Sequence, residues 1–234
     1  YRRDVTPGVT TAVTILLDPS GSMDKYTDDD AATVSAAGFA RIQRAHAAAA
    51  MALALGRAVE AAGADLSIYY FAPADQRLVQ KRSNGDRDVT NVDNGALWVA
   101  KPWHTRLHAA ADLLAACPSM TGTILAPGIV HAARMLRQRR ADRHLLIALT
   151  DGDCWCGAAA VAEASRMAER AGVEVLGIVL GDDVSDAAAG AMFSDWFRAR
   201  GVSDLNGRTL AAVATRLEAC LLYTSPSPRD RQKS

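Results

Sequence analysis

Neither sign of charge prevails in this sequence: Lys plus Arg and Asp plus Glu each number 26 in 234 residues. A balanced total removes the bulk attraction that draws a protein to nucleic acid or to an anionic membrane, so neither is expected as a partner. Long hydrophobic runs are missing too. The most apolar stretch, "AHAAAAMALALG" at 45–56, is shorter than a bilayer span and is followed at once by Arg57 and Glu60, which argues against a transmembrane helix. There is no signal-peptide pattern, and the chain opens on Tyr1, so a fragment of a longer protein is expected. Cysteines are few: Cys117, Cys154, Cys156 and Cys220 are too irregularly spaced for a disulfide framework. They are expected as thiols in a reducing, cytoplasmic compartment. The "CWC" at 154–156 has no second cysteine pair at zinc-site spacing, although His104 and His108 offer two further ligands, so thiols near a loop is the favoured reading.

What is present is a core. Half of the residues are hydrophobic, ample for one large domain. Apolar, β-branched runs alternate with Ala- and Leu-rich helical stretches, the order of an α/β protein with a parallel sheet covered on both faces. Strands are expected at Ala12–Leu17, Asp65–Phe71, Leu78–Lys81, His144–Leu149 and Val173–Leu180, and helices at about Arg41–Ala62, Thr105–Ala116, Pro127–Arg139, Ala158–Ala171, Ala188–Arg200 and Arg208–Ala219. Two polar segments, 24–38 and 83–104, break this rhythm and read as surface insertions. The last residues, "LLYTSPSPRDRQKS", shift to Ser, Pro and Arg, a composition that packs no core. Residues 220–234 are therefore expected to be a disordered tail, of the kind left by a translated sequencing adaptor, after a domain over 5–219.

In an open α/β sheet, ligands bind outside the carboxyl ends of the strands. Asp18 closes "VTILLD", with Ser20 and Ser22 just after it; Asp151 closes "LIALTD"; and Thr123 lies in "TGTILAPG" before an expected helix. Such an ending could hold a nucleophile, a phosphate or a metal ion. A nucleophilic serine would need Gly-x-Ser-x-Gly and a base histidine, whereas the sequence here is Asp-Pro-Ser-Gly-Ser. A phosphate cradle would need Gly-x-x-x-x-Gly-Lys-Ser/Thr, which the chain lacks. An aspartyl-phosphate enzyme would carry a second Asp where Ser20 stands. Two carboxylates and three hydroxyls are hard oxygen ligands, which favour Mg²⁺, with Mn²⁺ able to substitute. An Asp-centred hydrolase or phosphotransferase and a metal-free scaffold remain as alternatives.

"DPSGSM", a Gly-Thr loop about a hundred residues later and "LTDG" at a later strand end together resemble the metal-ion-dependent adhesion site (MIDAS) of von Willebrand factor A (VWA) domains. The resemblance assigns the metal to Asp18, Ser20, Ser22, Thr123 (rather than Thr121) and Asp151. It implies a doubly wound, Rossmann-like and mostly parallel sheet with one short antiparallel edge strand, for which Leu78–Lys81 is the candidate. It also implies recruitment of a partner protein's Asp or Glu to the metal. The segment "ERAGVEVLGIVLGDDVSD" and the sequence after it are similar to the A-type domain of CobT-type cobaltochelatase subunits, although "DGDCWCG" departs from that group. That similarity implies a role in cobalamin biosynthesis beside an AAA+ ATPase of the MoxR type, with no catalytic activity in this chain.

Overall fold

A computed structural model describes residues 10–25, 43–73, 89–92, 95–116 and 124–199. Among the described residues, seven strands make one sheet: β1 (Thr11–Leu17), β2 (Asp65–Pro73), β3 (Val89–Val92), β4 (Gly95–Lys101), β5 (Arg143–Thr150), β6 (Glu174–Leu180) and β7 (Trp196–Ala199). Their order is β3-β4-β2-β1-β5-β6-β7. Six strands share one direction and β4 alone opposes them.

All seven residues of β1 are buried, as a central strand of a two-sided sheet requires. The strand period of two sorts its side chains between two cores. Val13, Ile15 and Leu17 face a cluster with Met51, Leu55 and Val59 of helix α1 (Arg44–Ala61) and Leu114 of the short α2 (Ala111–Ala115). Ala12 and Leu16 face the other cluster, built on α3 (Leu125–Arg137), α4 (Gly157–Arg170) and α5 (Asp186–Met192). Each face is thus closed by helices, and the expected α/β architecture holds.

The antiparallel strand is not where the sequence pointed. Leu78–Lys81 lies outside the described residues, and the opposing strand is β4, from the segment 83–104 read as an insertion. β4 pairs with β2 on one side and with the outermost strand, β3, on the other. Its apolar "ALWVA" explains why: Leu97 and Ala100 are both buried, one in each core, so this run behaves as an inner strand.

A second difference falls on the expected helix Ala188–Arg200. The helix begins at Asp186, capped by the Ser185 hydroxyl, which accepts from the Ala188 N–H at 3.2 Å, and it stops at Met192. Phe193 turns to extended backbone (φ −131°, ψ 131°) and is 1% exposed. Its ring lies against Gly177 of β6 so closely that a Cβ there would come within 2.4 Å of it. Burying such a ring yields about 2–3 kcal/mol, more than the few tenths per residue by which Ala and Arg favour helix. The chain after Phe193 then pairs as β7 alongside β6.

The other expected strands and helices lie within three residues of their observed bounds, except that the stretch from Thr105 is a 3-10 turn (Leu107–Ala110) leading into α2. The expected helix Arg208–Ala219 and the tail lie outside the described residues. Among those described, no helix is long and apolar enough to cross a membrane.

Candidate metal centre

Strand pairing alone brings the two motif aspartates together. β1 and β5 are parallel neighbours with Leu17 opposite Leu149, and the Asp18 N–H extends the ladder to the Leu149 carbonyl at 3.0 Å. Asp18 and Asp151 therefore leave adjacent strands at the same end. From β1 the chain crosses to β2 on one side, and β5 lies on the other, so the two carboxylates sit where the winding reverses, the usual ligand position in such sheets.

After Asp18 the chain makes a 3-10 turn, Gly21–Asp24. Pro19 fixes its own φ at the entry to that turn. The Ser20 N–H donates to Asp18 Oδ1 at 2.9 Å, and the Ser20 and Ser22 hydroxyls lie 2.9 Å apart. Asp18, Ser20 and Asp151 are all buried. Asp18, Ser20, Ser22 and Asp151 thus lie together at this end of the sheet. Thr123 lies outside the described residues, two positions before α3.

The sequence reading gave no role to Thr150, which is fully buried. Its hydroxyl donates to Asp18 Oδ2 at 2.6 Å and accepts the Gly152 N–H at 3.0 Å. Both Asp18 oxygens are thereby held in place. The only signal was its position, a β-branched residue closing a strand immediately before the motif aspartate. Gly152 follows with φ +84°, a left-handed turn that L side chains resist, and a Cβ there would meet Val184 at 2.9 Å. That turn lets the Asp153 N–H reach back to Asp151 Oδ1 at 3.1 Å.

Asp151 Oδ2 is buried and, among the described residues, accepts no hydrogen bond. A buried carboxylate oxygen without a donor is costly. Burial first, and then the charge of Asp151, push the Asp18 carboxyl up to about 7, against hydrogen bonds from Thr150 and Ser20 that lower it. Burial likewise raises Asp151, opposed by the Ser22 hydroxyl and then the Asp153 N–H. The pair is therefore electrostatically frustrated, a condition that a bound cation would relieve. The donor set is oxygen throughout, and no group of three or more His, Cys, Asp or Glu is assembled among the described residues, so serine hydroxyls have to supplement the two carboxylates. These residues fit a hard divalent ion.

One wall is cationic. Arg44, with 3% of its side chain exposed, directs Nη1 to Asp183 Oδ2 at 3.0 Å and Nη2 to Asp183 Oδ1 at 3.3 Å, and Lys25 pairs with the same carboxylate. Arg44 first and Lys25 second hold the Asp183 carboxyl down at about 2. The Arg44 charge also acts on Asp151, in the direction that favours its ionised form. An open cleft of about 540 Å³ borders this wall, lined among others by Lys25, Gly152, Asp153, Asp183 and Val184.

The cysteines correct an expectation. Cys154 and Cys156 are joined by a disulfide, with their Cα atoms 5.3 Å apart, so they are neither free thiols nor ligands of a zinc ion shared with His104 and His108. The cysteine usage then no longer argues for a reducing compartment. Cys117 and Cys220 lie outside the described residues.

No protein-family profile and no characterised protein sequence matches this chain. Solved structures do match. An aerotolerance-related membrane protein from Bacteroides fragilis NCTC 9343, carrying multiple mutations to serine, superposes with a TM-score of 0.61 at 15% identity, over 91% of this chain and 100% of that one. The conserved hypothetical protein BatB from Bacteroides thetaiotaomicron matches with a TM-score of 0.61 at 15% identity, over 92% and 100% of the two chains. Proximal thread matrix protein 1 from the mussel byssus, in a structure with a zinc-occupied MIDAS motif, gives 0.55 at 14% identity, over 91% of this chain and 46% of that one. Identities this low speak for the fold alone: this chain shares with these proteins a VWA-like α/β fold, a mostly parallel sheet between two layers of helices.

Proposed function

We propose that the chain is a divalent-metal-dependent protein-binding module, in which Asp18, Ser20, Ser22, Asp151 and Thr123 hold Mg²⁺, or Mn²⁺ in its place. The observation that carries this reading is Asp151 Oδ2, a buried oxygen with no hydrogen-bond partner among the described residues, beside a second buried carboxylate. The occupied MIDAS motif of the mussel protein supports it as a precedent on the same fold. When bound, the cation supplies a Lewis-acidic position for one outside oxygen, the chemistry that suits a partner's Asp or Glu. Within the chain, Thr150 and the Ser20 N–H fix the Asp18 carboxylate, the Asp153 N–H holds Asp151 Oδ1 while Oδ2 has no donor among the described residues, and the serine hydroxyls complete the oxygen set. Binding through this site is reversible and needs no chemistry by the chain itself. Partnership with an AAA+ ATPase, as in CobT-type cobaltochelatases, extends the same reading on sequence similarity alone.

Calorimetric titration of Mg²⁺ and of Mn²⁺ into chelator-stripped protein tests the site. Saturable binding is expected for the native chain, weakened at least tenfold in Asp151→Asn. No binding heat and no thermal shift at millimolar metal would refute it. Capture of a MoxR-type ATPase in Mg²⁺ but not in chelator is the expected result for the partnership.

A further inference from the structure

The disulfide after Asp151 has no part in that reading. We propose that Cys154 and Cys156 form a redox-active dithiol–disulfide site, which exchanges with a low-molecular-weight thiol of the glutathione class by attack on the Cys154 sulfur. Three observations converge on it. The bridge spans two positions in sequence, and a ring that small removes the least chain entropy from the unfolded state, so holding the fold together is the use to which it is worst suited. It is also accessible. Both cysteines are only half-buried, Trp155 between them is 74% exposed, and Cys154 lines the 540 Å³ cleft with Lys25, Gly152 and Asp153. Finally, the two sulfurs are inequivalent. Cys156 is the N-cap residue of α4, a 14-residue helix, where the positive end of the helix dipole favours a thiolate.

In exchange, the sulfur that forms the better thiolate leaves. A thiolate entering from the cleft attacks Cys154 Sγ, the Sγ–Sγ bond breaks, and Cys156 departs as a thiolate at the helix start and takes a proton from solvent. A second thiolate then attacks the outer sulfur of the mixed disulfide and releases Cys154 as a thiolate, which is protonated in turn. The bridge gains two electrons and two protons, and two small thiols become one small disulfide. Run backwards, the small disulfide restores the bridge. In an oxidising compartment the bridged form accumulates, and in a reducing one the site cycles, the role in which intracellular disulfides are found.

The test uses the whole chain in chelator, so that its failure leaves the metal reading untouched. Folded protein is equilibrated with graded ratios of reduced to oxidised glutathione, quenched with N-ethylmaleimide and digested with trypsin. The peptide of residues 144–166 carries both cysteines and neither Cys117 nor Cys220. It is expected to pass reversibly from bridged to doubly alkylated across the titration. Short exposures should trap glutathione on Cys154 with maleimide on Cys156, at least tenfold over the reverse arrangement. A bridge that excess glutathione reduces only after unfolding in urea would overturn the proposal. So would a peptide that is doubly alkylated at every ratio, or glutathione trapped mainly on Cys156.

Discussion

Replacing Asp18 by Asn should make the metal-free protein more stable while removing its response to metal. Placing Asp18 in a buried site beside Asp151 raises its carboxyl from 3.8 to about 7, and at 1.36 kcal/mol per pKa unit the charged form costs the fold on the order of 4 kcal/mol at neutral pH. Asn carries no charge and keeps one acceptor. Its amide has to sit opposite the Ser20 N–H or the Thr150 hydroxyl, both of which now donate to Asp18, and one lost hydrogen bond returns about 1 kcal/mol. A net gain of about 2–3 kcal/mol remains, which for a domain of this size is a rise in Tm of roughly 5–10 °C. The sign with pH follows from the same shift. The folded acid binds its proton more tightly than the unfolded one, so the native chain in chelator should gain stability as pH falls from about 8 through 7 toward 4. Asp18→Asn should flatten that slope. Metal closes the gap, because a cation bound only to the folded state adds about 2.7 kcal/mol at a hundredfold excess over Kd and about 4.1 kcal/mol at a thousandfold excess, where the native chain overtakes the variant; the variant should show none of this. Thermal unfolding in chelator and in Mg²⁺, at several pH values, reads all three effects. A variant that melts lower than the native chain in chelator, or that still shifts with metal, would refute the reasoning.

Asp183→Asn leaves the nearly buried Arg44 guanidinium without its carboxylate, and urea denaturation should show a loss of about 1–2 kcal/mol, below the range for fully buried pairs because Asp183 is itself 32% exposed. With the Asp183 carboxyl held down at about 2, its contribution is complete above pH 3.8 and is lost as pH falls toward 2, so native chain and variant should converge there in acid denaturation. Gly177→Ala should cost at least about 2 kcal/mol by driving a methyl group into the Phe193 ring; an unchanged urea midpoint would mean that Phe193 does not seat on β6.

Much of this was legible because the decisive signals were local. Buried parallel strands such as "TILL" and "LLIAL" advertise themselves as apolar runs, and their order with the helices between them sets the sheet. Asp18 and Asp151 were readable because strand ends are fixed by where those runs stop. Three of the misreadings share a cause, a partner distant in sequence, whereas the Cys154–Cys156 bridge joins residues only two positions apart. β4 looked like insertion because its polar flanks dominate the window, yet pairing with β2 decides its state. The helix after Ser185 was expected to continue because helix propensity is local, whereas Phe193 is captured by a glycine 16 positions earlier. Thr150 went unassigned because its significance is a single hydrogen bond to a residue 132 positions away.

That separation has a kinetic meaning. β1 precedes β5 by about 130 positions in the chain, so the Asp18 side of the central ladder stays open until residues 143–150 have docked. Contacts of such long range close only once the chain entropy between them has been given up, which slows folding. The repulsion between the two aspartates is met when β5 seats against β1, so a cation present at that moment is expected to act on the rate at which the sheet closes as well as on its final stability.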